Sequence, residues 1–188
     1  MRSLELTLEY ISRVVDDLRR RFHEDDPIKL CEAMGIIVAR EPMGLYEGAC
    51  KGFFMAQSRK RLVMINADLP AELQRVIAAH ELGHAVLHRK ALGINTFHDF
   101  ALFDSTSAME YQANVFAAEY LMPDEDVLER LNDDISFFGA AAQLRVPPEL
   151  LDFKFRAMKR KGYKVIDPPF HCCGDFLKGV EIGGGSES

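Results

Sequence analysis

His80-Glu81-Leu82-Gly83-His84 is the stretch on which the reading of this 188-residue chain turns. Residues four apart on an α-helix lie about 6 Å apart along the axis and return to within about 40° of the same direction. Two imidazoles so placed converge on one ion and supply two of the three protein ligands of a catalytic zinc site. Zinc lowers the pKa of its water toward about 7. Glu81, one step round the helix, is placed to take that water's proton and return it to a leaving amine. The pattern points to a zinc-dependent endopeptidase with one ion per chain, His80 and His84 as ligands and Glu81 as general base. Apolar Val76, Ile77, Val86 and Leu87 flank the motif, a setting in which unpaired polar groups are costly.

Pro70 stands where proline is tolerated at a helix start, and neither proline nor glycine follows until Gly83, so the motif helix is expected over residues 71–89. Upstream, the apolar runs at 52–56 and 61–66 flank the polar turn Gln57-Ser58-Arg59-Lys60 and read as a hairpin in a small antiparallel sheet. Leu4, Leu8, Ile11, Val15 and Leu18 recur at helical spacing, which predicts an amphipathic helix over 3–22. Asp26-Pro27 opens a second helix closed at Gly35, and the β-branched run Ile36-Ile37-Val38 follows as a strand. Downstream, Ser107 with Glu110 three residues on has the form of a capping box for a helix ending at Pro123. Residues 126–162 are helical in pattern and broken at Val146-Pro147-Pro148. The organisation expected is an α+β core over 1–135, a C-terminal helical segment with a helix-turn-helix-like pattern over 136–166, and a flexible tail over 167–188.

Composition narrows the setting. The longest apolar runs fall far short of the roughly 20 residues that cross a bilayer, and the first residues do not have the pattern of a secretory signal. Cys31, Cys50, Cys172 and Cys173 form no disulfide or zinc-knuckle spacing. These features point to a soluble cytoplasmic protein with no membrane partner. A net charge of −6 argues against a protein that coats nucleic acid.

The third ligand has to come from elsewhere. Leu87 and Lys90 stand where the longer metzincin motif needs glycine and histidine. His88 lies about 12 Å along the axis from His80, too far to share a tetrahedral ion, and suits a supporting role behind a ligand. Asp99, Asp104, Glu110, Glu119 and His98 remain. Glu110 and Glu119 are nine residues apart and face opposite sides of their helix, so only one can reach the metal. Glu110 is preferred, because Asn114 shares its face and small Ala113 and Ala117 allow close helix approach, with Asn114 able to orient a ligand.

With these residues in place, the chain resembles the ImmA/IrrE-type metallopeptidases. The resemblance rests on residues 80–88, His80-Glu81-Leu82-Gly83-His84-Ala85-Val86-Leu87-His88, and on 110–123, from Glu110-Tyr111-Gln112-Ala113-Asn114 to Leu121-Met122-Pro123. It extends more loosely over about 26–164, and the chain departs from it at Pro147-Pro148. It implies a gluzincin-like fold, zinc on His80, His84 and Glu110, Glu81 as base, and a helix-turn-helix repressor as protein substrate, cut to derepress genes. A substrate held as an added strand would use a sheet edge near the metal, at 52–56 or 61–66.

Two other readings compete. Residues 140–151 followed by a helix bearing Lys154, Arg156, Lys159, Arg160, Lys161 and Lys164 suit a DNA-binding transcriptional regulator. Alternatively, the metal could be structural in a non-proteolytic anti-repressor module. A second ion at His171, Cys172 and Cys173 is the remaining, weaker pattern.

Overall fold

A computed structural model describes residues 2–57, 59–88, 97–99, 107–131 and 135–165. The fold is mixed α+β. Its helices are α1 (Arg2–Phe22), α2 (Pro27–Ala33), α3 (Ala71–Leu87), α4 (Ala108–Leu121), α5 (Asp124–Arg130), α6 (Phe137–Leu144) and α7 (Pro148–Arg160). Its strands are β1 (Ile37–Glu41), β2 (Gly52–Gln57), β3 (Lys60–Asn66) and β4 (Phe97–Asp99).

Local chemistry accounts for the boundaries. Asp26 Oδ1 accepts from the Ile28 amide at 2.8 Å, Pro27 occupies the first turn of α2, and Gly35 beyond its end takes φ +70°, a left-handed value open to glycine. Ser107 Oγ accepts from the Glu110 amide at 3.1 Å and starts α4. The motif helix α3 ends at Leu87 with His88 as its cap; Arg89 lies outside the described residues.

The sheet order is β1-β3-β2-β4. The expected hairpin is present as β2 and β3, but β1 pairs parallel to β3, so the sheet is mixed rather than purely antiparallel. The reason is the path of residues 42–51, which cross the end of β3 before entering β2. Fully buried Asn66 fastens that crossing: its Oδ1 accepts from the Met43 amide at 3.1 Å, and its Nδ2 donates to the Gly44 and Cys50 carbonyls at 2.8 and 3.0 Å. The two runs expected to offer a free edge, 52–56 and 61–66, are interior strands. The outer strands are β1 and β4, the latter pairing Gly52 with Asp99.

Helix α3 packs against β2 and β3 and also against α4, which in turn meets α1 and α7. Gly83 sets the α3–α4 spacing, since a Cβ there would stand 3.2 Å from both the Ala113 Cα and the Phe116 Cβ. Leu8, Ile11 and Val15 of α1, and Leu150, Leu151 and Phe155 of α7, belong to one buried cluster with Ile77, Leu82 and Phe116. Among the described residues no helix is long and apolar enough to cross a membrane.

The C-terminal segment packs its second helix, α7, against the core. Residues 150–155 of α7 are all buried; Lys154 pairs with Glu119 and Asp124, Arg156 with Asp152, and Lys161 just past the helix joins the same two acids as Lys154, while Lys159 and Arg160 are exposed.

Candidate metal centre

The motif histidines and Glu110 meet where α3 and α4 cross. His80 Nε2 lies 3.0 Å from His84 Nε2, and Glu110 Oε2 lies 3.2 Å from the first and 3.4 Å from the second. Ligands about 2.0–2.1 Å from a tetrahedral ion are separated by about 3.3 Å, so the three edges have the size of one face of a zinc polyhedron. These three side chains are the metal-capable group among the described residues.

The donor chemistry agrees. The Asn114 amide oxygen lies 2.9 Å from His80 Nδ1 and requires the proton there, which leaves a lone pair on Nε2 facing the centre. Burial pushes the His84 pKa down to about 4, against the raising effect of Glu110, so this imidazole is neutral at physiological pH, as a ligand must be. Burial acts to raise the Glu110 pKa, but the facing His80 and His84 rings outweigh it and hold the carboxyl below the usual range. One ionised carboxylate and inward lone pairs therefore converge at a site that a cation completes. Ser107 Oγ caps the Glu110 amide, and the Glu110 carboxylate turns to the imidazoles.

Glu81 is fully buried beside the triad and faces the start of β2. A Cβ on Gly52 would lie 2.4 Å from Ile77 Cγ2, 2.8 Å from the Met64 carbonyl oxygen and 3.8 Å from Glu81 Oε1. Glycine at 52 thus lets the strand reach the helix just where Glu81 sits, a close approach invisible in the hydrophobic pattern. Burial and then the Glu81 charge push the Cys31 thiol up to about 12.

The structure sorts the remaining candidates. His88 and Asn114 both stand behind the ligands, His88 Nδ1 at 3.0 Å from His84 Nδ1. Glu119 faces away, toward Ser12 and the lysines of α7 and its end. His98 and Asp99 lie on β4, while Asp104, His171, Cys172 and Cys173 lie outside the described residues. Gln112, given no role by the sequence, contacts His88 through its amide oxygen at 2.9 Å. A cavity of about 630 Å³ lined by Leu8, Ser12, Arg13 and Lys161 includes no triad residue.

Comparison with known proteins agrees with this geometry. The peptidase-family profile described as the IrrE N-terminal-like domain matches residues 31–156, spanning the motif, Glu110 and most of α7. The "Uncharacterized immunity region protein 2" of Bacillus phage phi105 is 32% identical over 146 residues, covering 77% of this chain and 88% of that protein. "Metallopeptidase ImmA" of Bacillus subtilis is 27% identical over 154 residues, covering 79% of this chain and 85% of its own length. By these matches the chain belongs to the ImmA/IrrE family of metallopeptidases, and His80, His84 and Glu110 form a group that could hold its metal.

Proposed function

We propose that the chain is a cytoplasmic zinc endopeptidase of gluzincin type that inactivates a helix-turn-helix repressor by cutting it. The observation that carries the reading is the triangle of His80 Nε2, His84 Nε2 and Glu110 Oε2, with edges of 3.0, 3.2 and 3.4 Å, beside a buried glutamate. His80, His84 and Glu110 would hold the ion, which when bound supplies Lewis acidity and a water acidic enough to ionise near neutral pH. Glu81 accepts a proton from the attacking water and delivers it to the amine nitrogen as the peptide bond breaks. Asn114 fixes the His80 ring throughout. A repressor segment held as an extended strand would add to the outer edge of β4, because β3 and β4 already flank β2, the strand next to Glu81.

The substrate class has support from the 32% relative, named for a phage immunity region, and from the ImmA relative. The test is incubation of the zinc-loaded protein with the helix-turn-helix regulator encoded nearest its gene, with fragments identified by mass spectrometry. Cleavage by the wild type and its loss in Glu81→Gln is the expected result. Repressor inactivation that survives intact in Glu81→Gln would replace this reading with a non-proteolytic anti-repressor carrying a structural metal.

A further inference from the structure

The two ligand imidazoles are steadied by different means. His80 Nδ1 meets an amide oxygen directly, that of Asn114 at 2.9 Å. His84 Nδ1 instead meets a second imidazole nitrogen, Nδ1 of His88, at 3.0 Å, and His88 Nε2 continues to Gln112 Oε1 at 2.9 Å. A nitrogen facing a nitrogen is a hydrogen bond only if one carries the proton and the other the lone pair, and the His84–His88 contact alone leaves that choice open. Gln112 closes it. Its amide oxygen only accepts, so the proton of a neutral His88 belongs on Nε2. His88 Nδ1 is then an acceptor, and the proton it accepts is the one on His84 Nδ1. His84 Nε2 is left with its lone pair directed at His80 Nε2 and Glu110 Oε2, the orientation a metal needs.

We propose that Gln112, acting through His88, is a positioning residue that selects the metal-binding tautomer of His84. The proposal rests on the metal-binding reading of the triad and adds a residue that neither motif spacing nor the ligand geometry assigns. His88 is buried and Gln112 half-buried, so water has little room to replace the amide oxygen at the end of the chain. Gln112 and Asn114 sit two residues apart on α4, so one short segment of that helix fixes both ligand rings while Glu110 supplies the third ligand.

The experiment measures zinc affinity by competition with a chromophoric chelator for wild type, Gln112→Leu and Gln112→Glu, with the thermal midpoints of the metal-free proteins alongside. Leucine fills comparable space without an acceptor and should weaken zinc binding about tenfold or more, within the range such outer contacts carry. Glutamate accepts the same N–H and should keep wild-type affinity or exceed it, at an unchanged midpoint. A second readout needs no variant: nitrogen-15 shifts of the wild-type imidazoles in the zinc-loaded protein should show His88 protonated on Nε2 and His84 on Nδ1. Equal zinc affinity in wild type and Gln112→Leu, or a His88 proton on Nδ1, overturns the proposal while leaving the metal site standing. A wild type that takes up no zinc overturns the metal reading and the proposal with it.

Discussion

Glu110 and Glu119 stand near the two ends of α4 and turn to opposite sides of it, and the clusters they join differ in one respect. Around Glu119 the chain supplies its own counter-charge. Lys154 Nζ donates to Glu119 Oε1 at 2.7 Å and Lys161 Nζ to Oε2 at 2.5 Å, while Asp124 Oδ1 receives the same two lysines at 2.5 and 3.1 Å and Ser12 Oγ adds a bond at 2.9 Å. Two carboxylates face two ammonium groups, and Lys154, at 1% exposure, tolerates burial only because of them. Around Glu110 the partners among the described residues are imidazoles, one of them held neutral by burial, so no lysine or arginine there closes the carboxylate. A buried acid closed by the chain's own cations ties helices together; one left to neutral donors makes a binding site.

The largest effect that sharpens this contrast is expected at Glu81. Glu81→Gln should lower repressor cleavage by about 10²–10⁴-fold, the usual contribution of a positioned general base, with zinc stoichiometry unchanged. Rate and metal content measured on one preparation check it; a variant that cleaves at the wild-type rate removes Glu81 from the chemistry. At the closed cluster the corresponding loss is in stability. Lys154→Met leaves Lys161 alone facing Glu119 and half-buried Asp124 and should cost about 1–3 kcal/mol in urea unfolding. A cost near zero would mean that the Glu119 cluster is no more closed than the Glu110 one.

Exchanging the two glutamates for glutamine tests the contrast directly. Glu110→Gln removes a ligand and should weaken zinc binding about 100-fold or more, beyond the range of outer contacts, while barely disturbing the metal-free fold. Glu119→Gln should do the reverse, leaving zinc affinity in place and lowering the urea midpoint. Gly52→Ala belongs to the open site but acts through packing. Its Cβ would collide with Ile77 and the Met64 carbonyl, at a cost of about 1–3 kcal/mol, and cleavage should fall further than stability because β2 would be pushed off Glu81.

Much of the open site was legible because its signals are local. The four-residue spacing of His80 and His84, the Ser107 cap and the half-turn offset between Glu110 and Glu119 are properties of single helices, and each reads directly from the sequence. What the sequence hides depends on elements distant along the chain. The parallel pairing of β1 with β3 follows from a crossing pinned by Asn66, a residue with no pattern to mark it. Lys154 and Lys161 read as part of a basic face, because a lysine is by default solvated; only the approach of Glu119 and Asp124 from another part of the chain pairs both and lets Lys154 be buried. Gln112 was in view inside the Glu110 segment, yet its role depends on His88 reaching it from α3.

The smallest expected effect lies behind the base, where the open site touches the core. Burial and the Glu81 charge raise the Cys31 thiol from 9.0 to about 12, so the unfolded chain loses this proton before the folded one does. The sign follows from linkage: stability from this group is full below about pH 9 and declines as pH rises toward 12, because only the unfolded chain gains by ionising. At pH 10 the decline is on the order of 1 kcal/mol. Burial also raises the Tyr120 hydroxyl above its ordinary 10, which adds a second decline of the same sign that begins about one pH unit later. Cys31→Ala should therefore move the onset of alkaline destabilisation from about pH 9 to about pH 10, read from the slope of urea stability against pH rather than from its level, since the lost sulfur also costs packing. Glu81→Gln removes the second-largest cause and should bring the Cys31 titration to lower pH without abolishing the shift. If the slopes of wild type and Cys31→Ala coincide between pH 9 and 10, the thiol is not held behind the base as described, and the charge of the open site does not reach the core through it.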